Sequence, residues 1–409
     1  MPAGYTATAT RVATDGSGNV VAAGYFNGSV SFGSASLTSA GGLDCFVVKY
    51  SPQGTVLWTK RFGGNCDDLV RGVAVDGSGN IIVTGSFQGT VDFGGVSLTS
   101  VPNSVLGACV SDVFVAKYSP TGNLLWVKSF GGTGADEGRA VAVDGSGNII
   151  LGVSLGSANV AFGSTILSAS GSTVVAVAKL AGVNGSVVWA VQWGASAYPT
   201  ALAADRNGDV LVTGNMGSGT SLFVAKFSGA NASGLWSKTI GSGGCNGNGI
   251  ATDPNTGNVI VTGTLGGPTD FGGGATPSGG VFLAAYGTSG GYLWAKTFNT
   301  SLIPPTSGDA GNGVSVDSSG NIGLTGKAAI LNFGVGWIRY GYFVASFTSG
   351  GAYRWAANSS GGGIGCGIAF DTLGHVVTAG NFTGTVNLGG ISVTAQTMAT
   401  APFCAQYSQ

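Results

Sequence analysis

The stretch from Arg71 to Gly132 constrains the fold more than any other part of this chain. It reads RGVAVDGSGNIIVTGSFQGTVDFGGVSLTSVPNSVLGACVSDVFVAKYSPTGNLLWVKSFGG, and the rest of the sequence repeats it in shorter or poorer copies. Four apolar runs lie inside it. Gly72–Val75 is built of small and β-branched residues, and the turn Asp76-Gly77-Ser78-Gly79-Asn80 follows. Ile81–Thr84 is rich in residues that suit a pleated surface. Val113–Tyr118 alternates as a half-buried strand does, then turns at Ser119-Pro120-Thr121-Gly122. Leu124–Phe130 is the fourth run and carries Trp126. The unit is therefore four antiparallel strands in sequence, and no segment keeps a 3.6-residue apolar period long enough for a helix.

The copies can be counted. The turn aspartate recurs at Asp15, Asp76, Asp144, Asp205, Asp253, Asp317 and Asp371. The glycine three places on recurs at Gly18, Gly79, Gly147, Gly208, Gly320 and Gly374; one inserted residue moves it to Gly257 in the fifth copy. The fourth-run tryptophan recurs at Trp58, Trp126, Trp189, Trp236, Trp294 and Trp355. Four-stranded units repeated seven times predict an all-β, seven-bladed β-propeller filling residues 1–409 as one domain. An open solenoid needs polar capping units, and none is visible. The expected blades are 10–64, 70–132, 138–195, 199–243, 247–300, 311–362 and 366–409, with residues 1–9 ahead of the first strand. Small residues such as Gly72, Ala74, Ala140, Ala142, Gly249, Ala251, Gly313 and Ala369 suit crowded innermost strands.

The pattern V-D-x-x-G-N-[IV]-x-V-T-G, then D-F-G-G, F-V-A-K-Y and L-W-x-K-x-F-G-G, resembles the bacterial SBBP-type β-propeller repeat over nearly the whole chain. The resemblance implies a secreted or surface-displayed bacterial protein, extracellular in location. It brings no catalytic motif with it.

Composition sharpens this. Charged residues are 8% and Gly is 77 of 409, yet the regular strands argue against disorder. The formal net charge is −1 with no basic stripe, which excludes nucleic acid as an expected partner. No apolar run reaches the length of a membrane span. MPAGYTATAT lacks a basic and an apolar region, so no signal peptide is expected there; either the chain is a mature form, the favoured reading, or the protein is not exported. The six N-x-[ST] sequons carry little weight in a chain rich in Ser, Thr and Gly.

The connection between second and third strands varies most, from Gln88–Ser111 in blade 2 to Met216–Thr220 in blade 4. An apolar residue sits at a fixed place in it: Phe32, Phe93, Phe162, Phe271, Phe333 and Leu388, read as a plug under each loop. These connections and the links between blades share one face, and variable loops on a rigid scaffold are where a protein or glycan would bind. Cys66, in the link from blade 1 to blade 2, and Cys109, in the long loop of blade 2, open on that face. They are the expected disulfide, although spacing alone cannot fix connectivity.

Candidate sites are few. His375 stands where other turns have Asn, and is read as a turn residue. The turn aspartates recur in every blade and are read as structural Asx-turns. Asp67-Asp68 and Asp136-Glu137 lie in links on the variable face, and a glycosidase-like carboxylate pair can be assembled from them. Solvated loop charge is the plainer reading, so no catalytic residue and no cofactor are expected. Asp205, Asn207 and Asp209 place oxygens at alternate positions and are the one calcium candidate, with Thr213 a poor closing ligand. Trp337, Arg339, Tyr340 and Tyr342, read as part of the variable loop of blade 6, are the ligand-binding candidates, suited to stacking on sugars, although a loop packing its own aromatics onto the blade is the plainer reading. The expected function is a non-catalytic extracellular binding or structural scaffold. A carbohydrate-binding propeller is the alternative, and a polysaccharide-acting enzyme comes third. The chain stops at Gln409, after the third strand of blade 7. Either Ala3–Ala9 supplies the fourth strand, or the blade stays three-stranded, or self-association through that edge completes it.

Overall fold

The structure is a computed structural model describing residues 6–103, 109–217, 219–241, 243–276, 279–298, 308–333, 337–395 and 400–408. The chain is an all-β, seven-bladed propeller of mainly four-stranded antiparallel sheets, with no helix among the described residues. It divides into two compact units. The N-terminal unit is Tyr5–Leu202 with Gly229–Ala232, and the C-terminal unit is Ala203–Ser228 with Ser233–Gln409; the division falls within the innermost strand of blade 4, Ala197–Ala204.

In the N-terminal unit, blade 2 shows the pattern. Leu69–Val75, Ile81–Gln88, Ser111–Tyr118 and Leu124–Phe130 pair in sequence order from inside to outside. Apart from Gln88 at its end, the second strand is buried, and so is the whole third strand, which explains their near-continuous apolar runs. The V-T-G step has a physical cause. Thr84 Oγ1 donates to the carbonyl of Phe114 at 2.7 Å, and a Cβ at Gly85 would strike the carbonyl oxygen of Leu69. Phe93 does plug the loop above. It is fully buried, 5.2 Å from Phe62 of the preceding blade and 5.1 Å from Phe114 of its own. Phe162 stacks on Phe130 at 4.5 Å in the same role. The connections carrying these rings are themselves hairpins in blades 1, 2 and 3: Ser29–Phe32 with Ala35–Thr38, Thr90–Asp92 with Ser97–Thr99, and Val160–Phe162 with Thr165–Leu167.

Neighbouring blades are joined by one recurring device. Asp76 Oδ1 accepts the backbone N–H groups of Ser78 and Asn80, and its Oδ2 accepts Asn80 Nδ2 and the ammonium of Lys117 at 2.8 Å. Lys117 also donates to the carbonyl of Gly182 in the next blade at 2.8 Å, and Trp126 Nε1 donates to that same oxygen at 3.2 Å. Lys49 and Trp58 clamp Pro120 in this way, and Lys179 and Trp189 clamp Gly229. The tryptophans therefore lie between blades as expected, but most are half-buried, with one edge in solvent. Gly185, at φ +71°, lies against the Trp126 indole, and a Cβ there would come within 2.9 Å of the ring.

The C-terminal unit repeats the device at Asp205, where Lys226 and Trp236 both donate to Thr288 O. It then departs from it, because Ala285 and Ser346 replace the lysine in blades 5 and 6. Phe333 is again a plug, 4.8 Å from Phe298 and 5.5 Å from Phe343. One expectation changes here. The second and third strands of blade 6 are long, Ile322–Asn332 and Trp337–Phe347, so the aromatic run at 337–342 is strand and not loop. The outer strand of blade 6, Tyr353–Ser360, also pairs with Thr385–Leu388 of the blade 7 hairpin. Blade 7 has three strands among the described residues, Gly363–Phe370, Val376–Phe382 and Ala401–Tyr407.

The N-terminal expectation needs correcting as well. Ala7–Thr14 is the innermost strand of blade 1, with Ala7 opposite Phe26 and Ala9 opposite Gly24. Residues 7–9 therefore belong to blade 1 and are not a latch for blade 7. Ala3 and its neighbours to residue 5 lie outside the described residues.

Candidate functional site

The face carrying the links between blades is built on a second set of aspartates, which point inward. Asp68 and Asp136 are closed to solvent. Asp68 accepts the N–H groups of Gly64 and Gln88 at 2.8 and 2.9 Å. Asp136 accepts those of Gly132, Gly156 and Ser157 and the hydroxyl of Ser157. Asp44 and Asp112, at the start of third strands, hold Ala40 N and Val101 N. Each carboxylate gathers backbone amides that a loop would otherwise leave unpaired. Burial pushes the Asp68 carboxyl up to about 7 against the pull of its two amides, and the Asp112 carboxyl to about 6. Burial also raises Asp136. Asp68, Asp136 and Asp309 lie eight residues before their turn aspartates, an offset that marks them as structural and that sequence reading missed. Of the pairs Asp67-Asp68 and Asp136-Glu137, the first pair places Asp67 Oδ1 on Leu43 N at 2.9 Å. In the second, Glu137 lies beside Arg139. A substrate cannot reach Asp68 or Asp136 where they stand.

The Cys66 and Cys109 side chains are joined in a disulfide, with Cα atoms 6.0 Å apart, tying the blade 1–2 link to the long blade 2 loop. Asp67 N–H donates to Gln88 Oε1 beside it. Both loop sets of this unit thus meet on one face.

The other candidates are placed as follows. Asp205 and Asp209 both face the ammonium of Lys226, at 2.8 and 3.2 Å, while Asp205 Oδ1 accepts the N–H groups of Asn207 and Asp209. A calcium ion there would have to displace that ammonium. Among the described residues no group of three or more His, Cys, Asp or Glu side chains could hold a metal ion. Tyr342 is fully buried, 4.9 Å from Phe403, so its ring is core and cannot stack on a ligand. The side chains of Trp337, Arg339 and Tyr340 lie outside the described residues. His375 is a turn residue whose Nδ1 lies 2.7 Å from Asp371 Oδ2, and Gln406 donates to the same oxygen.

One recurring position went unread in the sequence. Each innermost strand with a described register carries a β-bulge near its start: at Thr10, Arg71, Arg139, Asn248, Asn312 and Cys366. All lie five residues before a turn aspartate. A bulge re-aims its side chain out of the ladder. Thr10 Oγ1 donates to Ala23 O and Val70 O, each at 3.1 Å. Within the C-terminal unit Asn248 reaches Gly311 O, and Asn312 reaches Gly365 O.

No protein-family model matches the chain. A stretch of 115 residues, 28% of the chain, is 29% identical to an uncharacterized WD repeat-containing protein of Acanthamoeba polyphaga mimivirus, and spans 8% of that relative's length. Among solved structures the chain is similar to a streptogramin B lyase, with TM-score 0.48 and 11% identity, covering 90% of this chain and 89% of that one. It is similar also to the Pan2 WD40 domain of Neurospora crassa, with TM-score 0.49 and 10% identity, covering 90% and 85%. These likenesses concern the fold and carry nothing about activity. Among the described residues no helix is long and apolar enough to cross a membrane.

Proposed function

We propose that this chain is one seven-bladed propeller domain of the bacterial SBBP-repeat type, extracellular or displayed at a cell surface, acting as a non-catalytic binding or structural scaffold. The observation that carries the reading is the division of labour between its two faces. On one face the repeated Asp, Lys and Trp side chains are consumed in joining blades. On the other, loops of unequal length are held by buried aspartates and a disulfide. A disulfide suits an oxidising compartment. Loops fixed in this way present a preformed surface, which lowers the ordering entropy of binding. The partner is a protein or a glycan on that variable-loop face.

A screen against a glycan array and against secreted proteins of the native source tests this, with product analysis on every polysaccharide bound. Binding without turnover supports the scaffold. Conversion of any substrate contradicts it. Loss of glycan binding in Trp337→Ala would favour the lectin reading.

A further inference from the structure

The bulge residues of blades 2 and 3 are both arginines, and each has a buried Nε that makes no hydrogen bond. Arg71 forms no ion pair and no hydrogen bond among the described residues, and its Nε is buried without an acceptor. Its guanidinium lies over the Tyr25 ring, 5.8 Å from the centroid. Arg139 lies over Tyr198 at 5.3 Å. Its Nε is 2.8 Å from Glu137 Oε2 but out of line for a hydrogen bond, so neither atom is satisfied. Burial lowers the proton affinity of Arg139, Glu137 raises it, and the nearby charge of Arg71 lowers it again. Two guanidiniums close enough to repel are thus set against one carboxylate. Arg11 adds a third cation from blade 1, though it is already spent on carbonyls, with Nη1 on Thr10 O and Nη2 on Thr200 O at 3.2 Å. In a chain with 16 Lys and Arg side chains and net charge −1, three arginines on adjacent innermost strands are a concentration of charge.

Strand direction gives the place. Arg71 is the third residue of Leu69–Val75, which begins at the link carrying Cys66 and Asp68. Tyr25 is the last but one of Val20–Phe26, which ends at that same face. Each guanidinium lies over a tyrosine ring, and the Arg71 Nε–H has no acceptor. A guanidinium edge presents two parallel N–H groups that match a carboxylate or phosphate, and desolvation strengthens the pairing.

We propose that Arg71 and Arg139, steered by Tyr25 and Tyr198, form an oxyanion-binding site at the innermost strands of blades 2 and 3, open to the variable-loop face. It takes the carboxylate or phosphate group of a ligand. This goes beyond the scaffold reading, which stands whether or not the site binds.

The test is calorimetric titration of the full chain at low ionic strength with glucuronate and with inorganic phosphate, and with glucose as the neutral control. Binding of glucuronate alone identifies a carboxylate ligand, and of phosphate alone a phosphoryl ligand; either supports the site. Arg71→Gln and Arg139→Gln should each weaken binding by about 10-fold or more, as expected for loss of a charged hydrogen-bond donor. Arg71→Lys keeps the charge without the fork and should fall between. The anion should also raise the melting temperature of the parent chain and not of the Gln variants, a reading that holds if a variant is less stable. The proposal is overturned if neither anion binds at millimolar concentration, or if binding survives both substitutions together.

Discussion

Removing one lysine from the joint between blades should expose how the repeat is held together. Lys117 and Asp76 have side chains only 8% and 6% exposed, with Nζ and Oδ2 2.8 Å apart. Breaking a buried pair from one side costs about 3–5 kcal/mol, because the remaining charge stays buried. In Lys117→Ala the Asp76 carboxylate keeps three donors, Ser78 N, Asn80 N and Asn80 Nδ2, and Gly182 O keeps Trp126 Nε1. Those contacts place the expected loss at the low end, about 3 kcal/mol. Asp76→Asn leaves the ammonium with Gly182 O and should lose about as much. The double variant leaves no unpaired charge, so it should also lose only about 3 kcal/mol, against about 6 for independent effects. Blade 5 supports this reasoning. There Ala285 stands in the lysine position, and Thr256 Oγ1 donates to Asp253 Oδ2 at 2.8 Å instead. Urea unfolding followed by tryptophan fluorescence at pH 7 measures all three variants. Additive losses, or a single-variant loss below about 1 kcal/mol, would refute the argument. The pH dependence has a definite sign. Burial raises the Asp76 pKa, but Lys117, Asn80 and the backbone amides outweigh it and hold the carboxyl below its ordinary value. Its contribution is therefore present above about pH 4 and lost as pH falls through the depressed folded value.

Two further outcomes follow from the variable-loop face. Replacing Cys66 and Cys109 by serine opens a span of 43 residues and should cost about 4 kcal/mol on the chain-entropy model; unchanged melting together with both thiols free in native protein would count against the disulfide. Asp68 has the opposite pH sign to Asp76. Its carboxyl is raised to about 7 by burial, so the protonated form is favoured in the folded chain and its contribution to stability declines from about pH 4 to pH 7. Carbon-13 titration of the Asp68 carboxyl should give a midpoint near neutrality, and ionisation complete by about pH 5 would show that the amides of Gly64 and Gln88 outweigh burial.

Repetition decided what could be read from the sequence. The turn aspartates, the strand tryptophans and the plug phenylalanines recur with the same identity, so their periodicity exposed the blades and their roles. The bulge position recurs with different chemistry, as Thr10, Arg71, Arg139, Asn248, Asn312 and Cys366, and shared polarity without shared identity hid it. Asp68 and Asp136 looked like loop charge because an acidic residue beside each, Asp67 or Glu137, suggested solvation. Only the fold shows that one member of each pair turns inward. Tyr342 failed differently. In a short stretch of aromatics, alternation along a strand and exposure in a loop give the same composition, and the long Ile322–Asn332 and Trp337–Phe347 hairpin decides for the strand.

On the proposed function, one face joins the blades and the other binds. Amide hydrogen exchange tests it most directly, comparing the free chain with the chain saturated by the tightest ligand of the binding screen. New protection is expected in the links and loops at Gly41–Leu43, Gly64–Asp67, Val101–Asn103 and Thr133–Ala135, with the turns at Gly77–Gly79 and Gly145–Gly147 unchanged. Protection confined to those turns would contradict it.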